Sequence, residues 1–230
     1  MRLAVLTFFT FLMIYPLAGT AQTGPLIQSL EWEAQSAVPD EYRGRALPSP
    51  GTTVRVSLVL TPGVNPEDVA VSWEVDQKPV GTRDPHLLAF PAVSAPGTAH
   101  LVTARVRNRK TDALDDARVS IPVAARELNL HRLSASGTVI PYSSAPRPSM
   151  TGGATLSLVA RPYFFPLGGV AYRWNVDNRD IAGTPRTPHL LTLATPTAPP
   201  APVRTQIRAT AIHPLYNEMR VDRELVVEIR

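Results

Sequence analysis

The sequence predicts an all-β protein built as two tandem immunoglobulin-like antiparallel β-sandwiches after an N-terminal signal peptide, and three observations carry that expectation. A motif recurs once along the chain. Apolar residues alternate with polar ones around both copies of it. Proline is frequent, at 24 of 230 residues, alongside abundant Thr, Val, Ala and Ser, a mixture that suits short strands punctuated by turns and suits helices poorly.

A repeat sets the domain count. Trp73-Glu74-Val75-Asp76 leads to Gly81-Thr82 and then to Pro85-His86-Leu87-Leu88. Trp174-Asn175-Val176-Asp177 leads to Gly183-Thr184 and then to Pro188-His189-Leu190-Leu191. The tryptophans are 101 residues apart and the histidines 103, the size of one immunoglobulin-like module. A period of that length means tandem domains rather than a solenoid. The expected division is a signal peptide over 1–21, a first sandwich over 22–126 and a second over 127–230.

The alternation places the strands. Val54, Val56, Leu58 and Leu60 share one face of a strand ahead of the first tryptophan, and Leu156 and Leu158 do so in the second copy. Val71, Trp73 and Val75 are matched by Tyr172, Trp174 and Val176, and later pairs of strands run through Val102 to Val106, Val119 to Val123, Ile207 to Ala211 and Leu225 to Ile229. Period two marks strands with one buried face. Trp73 and Trp174, with Val75 and Val176 beside them, are the expected core pins, and truncating either Trp to Ala should cost about 3–5 kcal/mol. Turns fall at the Pro/Gly clusters Thr61-Pro62-Gly63, Pro91 to Gly97, Pro162 to Gly169 and Thr195 to Pro202. The last strand of the first module passes almost directly into the second module near Leu128, so the pair should form a semi-rigid rod.

At the N-terminus Arg2 precedes an apolar run from Leu3 to Ile14, then Pro16 and Ala18-Gly19-Thr20-Ala21. Small residues flank a cleavage position after Ala21, predicting a secretory leader and a mature chain from about Gln22. The segment from Leu3 to Leu17 is 15 residues long, short for a membrane span of roughly 20, and no later stretch reaches spanning length. The expected location is extracytoplasmic: secreted, periplasmic or on the cell surface.

Composition removes several chemistries. The chain has no cysteine, which excludes disulfides, thiolate catalysis, iron–sulfur clusters and cysteine-based zinc sites. Net charge is +4, from scattered Arg with Lys only at Lys78 and Lys110; no basic run tracks phosphates, and no nucleic-acid partner is expected.

The W-x-V-D segments at Trp73 to Asp76 and Trp174 to Asp177 resemble the third-strand region of polycystic-kidney-disease-type and related immunoglobulin-like domains of bacterial surface proteins. The glycines that usually follow in that turn are absent. Leu30-Glu31-Trp32-Glu33-Ala34, Tyr42-Arg43-Gly44-Arg45-Ala46-Leu47-Pro48 and Gly51-Thr52-Thr53-Val54-Arg55-Val56 resemble the opening of exported proteins of candidate-phylum bacteria. That resemblance implies envelope or cell-surface placement and no chemistry.

No catalytic motif stands out: there is no G-x-S-x-G elbow, P-loop, H-E-x-x-H pair or dinucleotide fingerprint. His86 and His189 repeat in the turn Pro85-His86 and Pro188-His189, too far apart to share a metal or a proton. Each imidazole is expected to fix its turn by bonding to nearby backbone. Asp112, Asp115 and Asp116 lack the spacing of a calcium loop and read as a solvated turn, and Asp76 and Asp177 as turn caps. No catalytic residue, metal or cofactor is expected, and the sequence offers no reason to expect a small-molecule ligand. The functional expectation is a non-catalytic envelope or surface protein acting as a structural and protein-interaction module, with a protein partner at the envelope. An alternative is an adhesin reading glycan or peptide through Tyr163, Phe164 and Phe165 in a Pro/Gly loop, aromatics that could equally tuck over the open end of the core. A wall-active hydrolase ranks third.

Overall fold

The computed structural model describes residues 24–141, 149–183, 186–197, 199 and 201–230. The expected leader over 1–21, the start near Gln22 and Thr184 of the second Gly-Thr pair lie outside the described residues. Two β-sandwiches follow one another along the chain, as the repeat predicts. Among the described residues the only helical segment is one 3-10 turn, Pro66–Asp68, capped by the Asn65 side chain, and no helix is long and apolar enough to cross a membrane.

In the first half, β1 (Ile27–Ala34) is followed by the two-residue β2 (Ser36–Ala37) and by β3 (Thr53–Leu60). Then come β4 (Val69–Val75), β5 (Lys78–Val80), β6 (Leu87–Pro91), β7 (Ala99–Asn108) and β8 (Leu114–Pro122). They form one sheet in the order β1-β3-β6 and a second in the order β5-β4-β7-β8. Every second residue of β3 points inward, so Val54, Val56 and Leu58 are buried and meet Trp73, Val102, Ala104 and Val106 of the other sheet. Alternation at period two thus becomes a core between two sheets.

The second half repeats the scheme with additions. Its strands are β9 (Glu127–Leu133), β10 (Val139–Pro141), β11 (Ser149–Met150), β12 (Thr155–Tyr163), β13 (Phe165–Pro166), β14 (Ala171–Val176), β15 (Arg179–Ile181), β16 (Leu190–Ala194), β17 (Val203–His213) and β18 (Tyr216–Ile229). The sheets run β10-β9-β12-β16 and β11-β18-β17-β14-β15. The pairing is antiparallel except for β11, which lies parallel to the end of β18. Leu128, Leu130, Leu156 and Leu158 pack against Trp174, Ile207, Ala209 and Val227 in a separate core.

Between Pro122, where β8 ends, and Glu127, where β9 begins, only residues 123–126 intervene. A fifth sheet pairs β2 with β13, Ala37 opposite Phe165 and Ser36 opposite Pro166. It joins the two halves directly, so the connection is more than a short linker. A segment of the first half leaves its own sandwich and adds strand hydrogen bonds and apolar contact to the second.

Candidate functional site

The repeated motif explains itself once its main chain is traced. Trp73 and Trp174 are 2% and 1% exposed, and a buried indole N–H needs an acceptor. Trp73 Nε1 donates to the carbonyl oxygen of Pro85 at 2.9 Å, and Trp174 Nε1 to that of Pro188 at 3.0 Å. The next carbonyl is used too: His86 accepts from the Leu58 N–H at 2.9 Å, and His189 from the Ala160 N–H at 2.8 Å. Successive carbonyls of Pro-His therefore tie a tryptophan in one sheet to a strand of the other. Val75 and Val176 lie beside these pins, partly buried against the two cores.

Neither imidazole makes the expected hydrogen bond to nearby backbone among the described residues; the Nδ1 of His86 lies 3.8 Å from the Asp84 carboxylate of the same turn. Nε2 of His86 is buried without a partner among the described residues, and His189 has only a ring contact with Tyr172, at 6.1 Å. Carbonyl oxygens hold the turn, and proline at the first position keeps φ in the range the turn needs.

Asp76-Gln77 and Asp177-Asn178 are the two-residue loops of tight hairpins, since Val75 pairs with Lys78 and Val176 with Arg179. All four loop residues have positive φ, between 47° and 65°, the pattern of a type I′ turn, which Asp and Asn tolerate best after Gly. Each aspartate then anchors its hairpin to the neighbouring strand. Asp76 Oδ1 accepts from Leu101 N–H at 2.9 Å and Asp177 Oδ1 from Gln206 N–H at 2.8 Å.

In the first half the second carboxylate oxygen has its own partner. His100, fully buried, donates from Nδ1 to Asp76 Oδ2 at 2.7 Å. Its Nε2 accepts from the N–H groups of Val93 and Ser94 at 3.2 and 3.3 Å, and these partners define the tautomer. Ser94 Oγ is 3.4 Å from Nδ1, the nitrogen that faces the acid. A nucleophile–base pair needs the serine on the opposite nitrogen, which here is occupied by main chain. The constellation of Ser, His and Asp braces a loop. Burial pushes the Asp76 carboxyl up, but the Leu101 N–H, His100 and Lys78 outweigh it and hold it below the usual value.

The acidic group near the 3-10 turn is similarly committed to structure. Asp115 Oδ2 accepts from the N–H groups of Leu26 and Ile27 at 2.8 and 2.9 Å, Asp112 pairs with Arg107, and Asp116 with Arg118. Asp115 and Asp116 belong to β8 rather than to the expected turn.

Tyr163, Phe164 and Phe165 lie at the junction of the halves. Phe165 is fully buried in the second core and Phe164 is 8% exposed. Phe164 has φ of 59°, in the left-handed region that few non-glycine residues adopt. Tyr42 of the first half meets Tyr163 and Phe164 edge-on, with centroids 6.0 and 5.7 Å away. Aromatic rings prefer this geometry because the edge of one faces the negative face of the other. The phenylalanines are therefore covered by the chain itself. Around them, Leu167 N–H donates to the Gln35 carbonyl at 3.0 Å, Arg161 pairs with Glu41, and Arg126 donates to the Pro50 carbonyl. Glycine suits position 51 because its φ is +86°, the left-handed region that a side chain strains.

Beside the aromatic contact the halves line an open groove of about 270 Å³. One wall runs from Ala37 to Glu41, and the other carries Arg161, Tyr172 and His189. Burial pushes the Tyr172 hydroxyl up to about 12, so it is a neutral donor and acceptor at any physiological pH. No group of three or more His, Cys, Asp or Glu suited to a metal occurs among the described residues.

No protein-family model and no curated protein matches this chain. Among solved structures it is similar to the fibronectin(III)-like modules of Clostridium thermocellum CbhA, at 13% identity over 84% of this chain and 92% of that one, with a TM-score of 0.28. It is also similar to immunoglobulin domains 1–4 of Sidekick-1, at 11% identity over 85% and 74%, with a TM-score of 0.26.

Proposed function

We infer that the chain is a non-catalytic extracytoplasmic protein, in which two sandwiches over 22–126 and 127–230 act as one structural and protein-interaction module at the cell envelope. The junction is the observation that carries this reading. Two domains that only needed to be linked would manage with residues 123–126. This chain instead commits β2, β13, Tyr42 and the Arg161–Glu41 pair to holding the sandwiches together. Such a unit presents surfaces at a set spacing, which is what a spacer or scaffold needs and what an independent pair of binding domains does not.

Extracytoplasmic placement rests on the leader-like segment before Gln22 and on the resemblance to exported bacterial proteins. The adhesin alternative loses its aromatic contacts, because Phe164 and Phe165 are spent on the junction. Crosslinking with mass spectrometry on intact cells, together with the N-terminal sequence of the recovered chain, tests the proposal. A chain starting near Gln22 and linked to wall, pilus or secretion components is the expected result. An unprocessed chain with cytoplasmic neighbours alone would overturn it.

A further inference from the structure

We propose that the cleft between the sandwiches is a binding site for a small neutral polyhydroxylated ring, one sugar residue in size. Its volume of about 270 Å³ falls just below the range of drug-sized pockets, roughly 300–1,000 Å³, which suits a ligand of one ring. Its polar lining is mixed rather than of one sign. Asp40 and Glu41 supply acceptors, Arg161 supplies donors, and Tyr172 and His189 can each do both. A hydroxyl also donates and accepts, so a ring of hydroxyls satisfies such a lining where a lone cation or anion would satisfy half of it. Pro39 and Pro162 add apolar surface for the C–H faces of the ring.

The polar groups are also free to act. The hydroxyl of Tyr172, the ring nitrogens of His189 and the carboxylate of Asp40 have no hydrogen-bond partner among the described residues and stay within reach of solvent, Asp40 being exposed and Tyr172 and His189 half-buried. Along the groove they are placed to exchange water for ligand hydroxyls. Arg161 and Glu41 are already paired with each other, across the two halves. A bound ring would touch both sandwiches and so strengthen the junction.

The test uses the purified chain and does not depend on where the protein resides. Isotope-labelled protein is titrated with glucose, galactose and N-acetylglucosamine while the His189 imidazole and Tyr172 ring resonances are followed. Saturable shifts with at least one sugar are expected. Tyr172→Phe, which keeps the ring, and Asp40→Ala, on an exposed side chain, should each weaken that binding about three- to tenfold, with the unfolding midpoint unchanged. Absence of a saturable shift with all three sugars, unaltered affinity in both variants, or shifts produced by lysine methyl ester and by none of the sugars would each overturn the proposal.

Discussion

The indole nitrogen of Trp73 is 2.9 Å from the carbonyl oxygen of Pro85, a residue twelve positions further on that enters the opposite sheet. The same bond recurs between Trp174 and Pro188 at 3.0 Å. The tryptophan therefore contributes packing and a hydrogen bond, and two substitutions separate them. Trp73→Phe keeps most of the apolar volume and leaves the Pro85 oxygen without its donor, which should cost about 1–3 kcal/mol. Trp73→Ala adds the cavity and should cost about 3–5 kcal/mol. Urea unfolding of both variants measures the difference. No loss in Trp73→Phe would mean that the bond contributes nothing.

Asp76 makes stability depend on acid. Its folded carboxyl titrates below the ordinary value of 3.8, so the unfolded chain takes up this proton first as pH falls. The contribution is complete above about pH 4 and is lost as pH drops through 3.8 to the folded value. Asp76→Asn should remove that part of the acid dependence and lower stability at pH 7, because an amide cannot serve both Leu101 N–H and His100 as two carboxylate oxygens do. Unfolding midpoints between pH 2 and pH 7 read both effects. An unchanged acid slope in the variant would show that other carboxylates carry it.

The core and its pins were legible in the sequence because they obey rules of spacing: Val54, Val56 and Leu58 alternate, and Trp73 and Trp174 return after one module length. What Pro85 and Pro188 do was not legible, since their contribution comes from main-chain oxygens that carry no residue-specific signal. His100 was invisible for a different reason. Its partner Asp76 is far away in sequence and the repeat offers no second copy, Thr205 standing where His100 stands. The destination of Phe164 and Phe165 depended on β2, a strand of two residues, too short for any periodicity to reveal. The cleft shares that fate, being assembled from residues near 40, 161, 172 and 189.

His131 should act in a higher pH range. It is 7% exposed in β9, neither ring nitrogen has a partner among the described residues, and burial lowers its ionisation below the ordinary 6.5. The unfolded chain thus protonates first, and stability should fall as pH drops from 6.5 toward the folded value. His131→Leu removes an unsatisfied buried polar group. It should leave stability at pH 7.5 unchanged or higher and flatten the dependence between pH 7 and pH 5. Thermal unfolding across that interval decides it, and a variant as pH-sensitive as the parent would exclude His131 as the source.

The junction makes the most specific demand on Tyr42. Two edge-on contacts, to Tyr163 and Phe164, tie it to the second sandwich, and each such pair is worth about 0.5–1.5 kcal/mol beyond burial. Tyr42 lies in neither core cluster, so Tyr42→Ala should leave each sandwich folded and weaken only their coupling. Calorimetry should then resolve two transitions where the parent gives one, and small-angle scattering should report a wider spread of inter-sandwich orientations. Tyr42→Phe keeps the ring and should restore parent behaviour. A single unshifted transition in the alanine variant would mean that β2–β13 pairing and the Arg161–Glu41 pair hold the halves without the aromatic cluster.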